Sequence, residues 1–261
     1  MDDKITKADK AMGKLESQKR FKGDEDRRVG SEIFDKSTLE TLYKLGKQGY
    51  LDLLNGAIST GKEANVLKGL DDDGSFIAVK IYRITTSDFK KMQYYIQGDP
   101  RFKISSNNKR QLVHAWVNKE FRNLKRLYEA KVNVPKPIAA LNNVLLIEFI
   151  GDEDGDPAQP TKNKAPLNPE DFFQKLLFEW KNFIFQGKLI HGDLSTYNIL
   201  NYKEYPVIID VSQAVVLDHI IAPELLKRDI TNLTKEFKHL GLDIDEDYVK
   251  DAINFKEVFK K

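Results

Sequence analysis

Three side chains ending in a carboxylate or an amide carry the strongest chemical signal in this sequence. Asp193 lies in His191-Gly192-Asp193-Leu194-Ser195-Thr196-Tyr197-Asn198, with Asn198 five residues beyond it. Asp210 follows Asp193 by seventeen residues and closes the apolar run Val207-Ile208-Ile209. A hydroxyl nucleophile needs a carboxylate to orient it and accept its proton, while an amide oxygen and a second carboxylate can hold the metal ion carried by a triphosphate. A carboxylate at the end of an apolar strand is costly unless it meets a cation. Taken singly, Asp193 and Asp210 could cap turns and Asn198 could fill one. At their mutual spacing they predict phosphoryl transfer, with Asp193 and Asp210 as catalytic groups and Asn198 and Asp210 as metal ligands.

A lysine joins them. Lys80 ends the run Ala78-Val79-Lys80, the place from which protein kinases grip the α- and β-phosphates. Its expected partner is Glu120, inside the helical pattern 111–128. Gly56-x-x-x-x-Gly61-Lys62 nearly completes a Walker phosphate loop, but Glu63 stands where a metal-ligating hydroxyl is required and a strand pattern follows. The Walker reading is therefore set aside. No G-x-G-x-x-G loop exists either, so Ser59, Thr60, Gly61 and Lys62 are expected to meet phosphates through hydroxyl, backbone and ammonium groups. The adenine is expected on the backbone of Glu148–Ile150, with Glu148 and Ile150 as its contacts. Ala222-Pro223-Glu224 resembles the kinase A-P-E triplet but begins only twelve residues after Asp210, too close for an ordinary activation loop. The 51 residues after Asp210 are also too few for the helices with which ordinary protein kinases hold peptides.

The elements that must position these groups can be read from periodicity. Ser37 and Glu40 form a capping-box pattern ahead of a helix over 38–54. A hairpin turn at 69–74 leads into a strand at 76–81. Residues 85–109 read as a long polar insertion of the kind that is functional or disordered. The helix over 111–128 is stopped by Pro135 and Pro137, and a strand at 144–151 runs into a linker. Asn168-Pro169 opens a helix whose apolar face runs from Phe172 to Ile184, with Gly187 as its stop. Strand pieces at 198–200 and 207–209 bracket a turn, and helices follow at 223–239 and 246–259. This order predicts an α+β, two-lobed protein-kinase-like fold, with a small antiparallel-sheet N-lobe and a truncated, mainly helical C-lobe. The expected division is an N-terminal arm and helical segment over 1–52, an N-lobe over 53–147 and a C-lobe over 148–261.

Composition narrows the classes. Hydrophobic residues make up 41% and charged residues 31%, as in globular domains generally. The absence of cysteine excludes disulfides and thiolate metal sites, and four scattered histidines do not form a histidine cluster. No run approaches the ~20 apolar residues needed to cross a bilayer, and the charged N-terminus has no secretory pattern. A cytoplasmic, membrane-independent protein is expected. A net charge of +2 permits an RNA-rich partner without requiring one.

Three strings together resemble the RIO family of atypical serine protein kinases, its first subfamily above all: S-T-G-K-E-A-N at Ser59–Asn65, H-G-D-L-S-x-x-N at His191–Asn198 and I-D-V-S-Q at Ile209–Gln213. The resemblance is to a compact, archaeal-type member. Residues 1–50 leave little room for the winged helix of the second subfamily. The resemblance implies ATP with Mg2+, or Mn2+ in its place, and autophosphorylation on serine, here near Ser105 and Ser106. It also implies a phosphoryl-aspartate at Asp210, ATP hydrolysis, and a partner in the small ribosomal subunit precursor, both protein and rRNA. Two rivals stand beside it: a small-molecule phosphotransferase of the aminoglycoside or choline kinase type, and a non-catalytic ribosome assembly factor switched by nucleotide. The oligomeric state is left open.

Overall fold

A computed structural model of the chain describes residues 34–84, 89–99, 101–102 and 108–260. The N-terminal arm and the expected autophosphorylation region around Ser105 and Ser106 lie outside the described residues. The chain forms two units, one within residues 1–89, 106–118 and 137–157 and the other within 90–105, 119–136 and 158–261.

In the first unit, helix α1 spans Lys36–Lys47. Its cap is Asp35, whose carboxylate accepts the N–H of Thr38 at 2.8 Å. The Ser37–Glu40 capping box is therefore displaced by an acceptor two residues earlier. The expected helix to residue 54 also stops short. Gly49, at φ +80°, takes a left-handed turn that side chains resist, and Tyr50 N–H bonds back to the Leu45 carbonyl at 3.1 Å. Leu53 and Leu54 then enter a strand.

Five antiparallel strands follow, β1 (Leu53–Thr60), β2 (Ala64–Leu70), β3 (Phe76–Tyr82), β4 (Pro137–Leu141) and β5 (Val144–Glu148), in the order β1-β2-β3-β5-β4. Successive strand residues face opposite sides. Ile77, Val79 and Ile81 join Leu42 and Leu45 of α1 in one core, together with Leu67, Val144 and Leu146. Lys80 is thereby turned to the other face, opposite Val66 and Leu145 in register. The acidic turn after β5 is anchored by Lys68, whose ammonium donates to the Gly155 carbonyl at 2.7 Å and lies over the Phe76 ring.

The residues read as an insertion contain a helix, α2 (Phe89–Ile96), burying Met92, Tyr95 and Ile96. Periodicity does not announce this helix, because an apolar face of only three residues is too short to register as periodic. Helix α3 (Lys109–Glu129) runs from residues of the first unit into residues of the second.

The second unit is mainly helical. Its longest helices are α4 (Pro169–Phe185), capped by Asn168, and α5 (Ala222–His239). Phe172, Phe173, Leu176, Leu177, Trp180, Phe183 and Ile184 are all buried, as their spacing predicts. Short strands complete it: β6 (Gln159–Pro160), β7 (Leu189–Ile190), β8 (Ile199–Tyr202), β9 (Tyr205–Ile208) and β10 (Val215–Val216). The helix expected at 246–259 is two helices, α6 (Glu246–Ala252) and α7 (Phe255–Val258), separated where Asn254 turns left-handed at φ +55°. Among the described residues, no helix is long and apolar enough to cross a membrane.

Candidate active site

Asp193 and Asn198 occupy the loop between β7 and β8, and Asp210 begins the loop between β9 and β10. Within the second unit the structure ties all three together. The Asn198 side-chain N–H donates to the Asp193 carbonyl at 2.8 Å, which turns the amide oxygen, the atom a metal would need, away from that contact. Ile209 N–H donates to the Asn198 backbone carbonyl at 3.0 Å, holding the residue before Asp210 against the same loop. Gln213 reaches across, its amide N–H donating to Asp193 Oδ2 at 3.1 Å. Ser212 Oγ donates to Asp210 Oδ1 at 2.8 Å. Asp210 itself is left-handed at φ +55°, a conformation uncommon outside glycine, asparagine and aspartate.

His191 lies beneath this pair of loops, fully buried. Its Nδ1 accepts the Asp193 backbone N–H at 3.2 Å, so the ring proton belongs on Nε2, which faces the Ile209 carbonyl at 3.1 Å. Burial holds its pKa below the ordinary histidine value, outweighing the carboxylates of Asp193 and Asp210 nearby. A neutral imidazole with this tautomer satisfies both contacts; an imidazolium would lose the acceptor.

Several groups that serve this site escape a motif search. Asp229 of α5 is completely buried, and its two oxygens accept the N–H groups of Gly192 and Leu194 at 2.8 and 2.9 Å. These are the residues on either side of Asp193, so one carboxylate fixes the backbone from which Asp193 projects. Gly192 stands at φ +80°, and a Cβ there would meet Leu225 Cδ1 at 3.0 Å. Burial pushes the Asp229 carboxyl up to about 7, against the opposing effect of its two N–H donors. The neighbouring Arg228 donates to Tyr95 Oη at 2.9 Å and to the Gly192 carbonyl. Glu236, two turns on, accepts the Thr196 N–H at 2.6 Å. The signal for Asp229 is present in the sequence, a carboxylate among Leu225, Leu226, Ile230 and Leu233 on the apolar stripe of a helix.

The residues of the first unit that are expected to meet the nucleotide are arranged differently. Ser59 and Thr60 end β1, and Gly61 and Lys62 form the turn into β2, all four exposed. A strand follows Lys62, so no helix N-terminus stands behind this turn. Lys80 is largely buried, with its ammonium over the Tyr82 ring, 5.1 Å from the centroid. Glu148 ends β5 with its side chain exposed, and Ile150 follows half-buried. Glu120 is buried on α3, in the residues of the second unit.

The donor set suits a hard, oxygen-seeking cation. Among the described residues no group of three or more histidine, cysteine, aspartate or glutamate side chains stands ready to hold a metal. Magnesium is commonly held by one or two protein oxygens with substrate phosphates and water completing its octahedron. Asp210 and the Asn198 amide oxygen can supply those two.

Comparison with known proteins gives the same direction. Residues 65–249 match the family described as RIO domain. The chain is 41% identical over 242 residues to the RIO-type serine/threonine-protein kinase Rio1 of Haloferax volcanii, covering 93% of this chain and 83% of that protein. It is likewise 41% identical over 247 residues to the Rio1 kinase of Methanocaldococcus jannaschii, covering 94% and 80%. Among solved structures it resembles the Rio2 kinase-ADP/Mg2+-phosphoaspartate complex from Chaetomium thermophilum, with a TM-score of 0.65, 23% identity, and coverage of 87% of this chain and 68% of that one. That last likeness carries the α+β, kinase-like fold alone.

Proposed function

The chain belongs to the RIO family of atypical serine/threonine protein kinases, and from that premise we propose that it transfers the γ-phosphoryl group of ATP to serine, its own included, using Mg2+. The bond between the γ-phosphorus and the bridging oxygen breaks, ADP leaves, and a bond to the serine oxygen forms as its proton passes to Asp193. Asp193 orients that hydroxyl through Oδ1, because Gln213 occupies Oδ2. Asn198 and Asp210 hold the metal, which when bound neutralises charge on the phosphates. Lys80, with Glu120 as its partner, grips the phosphates beside Ser59, Thr60, Gly61 and Lys62, and the adenine lies on the backbone of Glu148–Ile150.

The observation that supports this reading is the Gln213 bridge: the loop bearing Asp210 reaches back to the carboxylate of Asp193, so the two loops that carry the acidic residues are tied to each other. We include in the proposal a phosphoryl-aspartate at Asp210 and slow release of phosphate by water, the chemistry implied by the resemblance. Action on a small ribosomal subunit precursor, in the cytoplasm, belongs to the same proposal and rests on family membership.

Incubation with γ-labelled ATP and Mg2+, followed by mapping of the label, tests the reading. Acid-stable label on serine is expected, with a second, hydroxylamine-labile label on Asp210. Nucleotide binding without label or phosphate release would support the switched assembly factor instead.

A further inference from the structure

The loop after Asp210 is held from behind by one turn of a helix that no motif marks. Lys119 and Asn123 lie four residues apart on α3, both completely buried. The Lys119 ammonium donates to the carbonyls of Ser212, at 2.8 Å, and Ala214. The Asn123 amide donates to the carbonyls of Val211 and Ala214 at 2.9 and 3.0 Å. Three of the four carbonyls following Asp210 are thus fixed by two side chains. The amide oxygen of Asn123 is fixed in turn, accepting from Arg101 Nη1 at 2.9 Å, and Arg101 is clamped on Asp99 at 2.7 Å.

Packing alone does not call for this arrangement. A buried ammonium is costly to desolvate unless acceptors surround it, and a methionine or leucine would fill the same space. Burial indeed lowers the Lys119 pKa to about 7. What polar groups supply here and apolar ones cannot is direction: carbonyls held at both ends of a short loop determine how its first residue points.

We propose that Lys119 and Asn123 are positioning residues for phosphoryl transfer, setting through the carbonyls of Val211, Ser212 and Ala214 the orientation in which Asp210 meets the metal. This rests on the reading of Asp210 as a metal ligand. Groups behind a metal ligand typically change metal affinity by about 10- to 100-fold.

The test measures Mg2+ binding by the full chain with a non-transferable ATP analogue bound, beside autophosphorylation against Mg2+ concentration at saturating ATP, for wild type, Lys119→Met, Asn123→Leu and Asp210→Asn. Lys119→Met and Asn123→Leu should raise the Mg2+ concentration for half-maximal binding and rate by about tenfold, with the ATP KM within about twofold and much of the rate recovered at high Mg2+. A lower rate at every Mg2+ concentration with an unchanged midpoint would overturn the proposal, leaving the two side chains a structural role only. Asp210→Asn separates the two ideas. If it alters the Mg2+ dependence and the other two do not, the positioning proposal fails and the ligand assignment survives; if it leaves the dependence intact, the ligand assignment fails and takes the proposal with it. Should Lys119→Met lose its cooperative melting transition, Asn123→Leu, which removes no charge, decides by the same criteria.

Discussion

The loops around Asp193 and Asp210 and the hairpin tip at Ser59–Lys62 are both expected to act on one triphosphate, yet they are built in opposite ways. In the first region, backbone and side-chain groups are committed to fixed partners: Asp229 holds both flanks of Asp193, His191 joins the two loops, and Gln213 ties the loop after Asp210 to the Asp193 carboxylate. In the second, four exposed residues sit at a turn between antiparallel strands, with Gly61 N–H to the Ala64 carbonyl closing the tip at 3.0 Å. The difference matches the demands that the proposed roles would place on each. Proton transfer and metal ligation tolerate little positional error, whereas hydroxyls and an ammonium meeting phosphate oxygens can adjust when the ligand arrives.

Substitutions can break or sharpen that contrast. The largest effect is expected from Asp193→Asn, which keeps the Gln213 and Asn198 geometry but removes the proton acceptor. Its phosphoryl-transfer rate should fall by about a thousandfold with ATP affinity nearly unchanged, as measured by labelled-ATP turnover beside nucleotide titration. Asp229→Asn comes next. One of its oxygens becomes an amide facing a backbone N–H, so the loop should shift and the rate drop by about a hundredfold although the residue touches no substrate.

The same variant carries a stability signature. Asp229 has a folded pKa raised to about 7 against roughly 3.9 unfolded, so the folded state binds the extra proton between these values. Stability from this group is therefore fully present near pH 4 and declines as pH rises toward 7. Melting temperatures of wild type and Asp229→Asn, compared from pH 4 to 8, should show the wild type's relative advantage shrinking across that window. A constant gap would place the carboxyl's titration elsewhere.

Smaller effects should follow at the connections and least of all at the hairpin. Gln213→Leu removes the donor to Asp193 Oδ2 and should lower the rate by roughly tenfold, as read from labelled-ATP turnover. Ser59→Ala and Lys62→Ala should raise the ATP KM only a few-fold, each having lost about 1 kcal/mol of contact, with the maximal rate preserved. A collapse of that rate in either hairpin variant would erase the distinction between the two regions.

What could be read from the sequence follows the same line. Helix α4 and the hairpin of β8 and β9 were plain because their burial patterns are regular and local. Asp193, Asn198 and Asp210 stood out because phosphoryl transfer restricts residue types at fixed spacing. Lys119 and Asn123 did not, because each acts on partners far away in the chain and a polar residue inside a helix says nothing of which carbonyl it faces; Asp229 shows only as a carboxylate on an apolar stripe, and Gln213 stands in the I-D-V-S-Q string with no sign there of its partner Asp193. Helix α1 differs from the expected 38–54 at both ends for local reasons: the Asp35 carboxylate caps it ahead of Ser37, and the left-handed glycine at 49 outweighs the leucines beyond it.

The left-handed backbone at Asp210 bears on how its role can be dissected at all. Asparagine adopts that conformation about as readily as aspartate, but alanine and glutamate resist it. An alanine exchange at this position would bend the peptide chain as well as remove its charge, and a glutamate exchange would bend the chain as well as displace the carboxylate, so each mixes two injuries in one measurement. The asparagine exchange subtracts the negative charge while keeping both the left-handed backbone and a side-chain oxygen that can accept from Ser212.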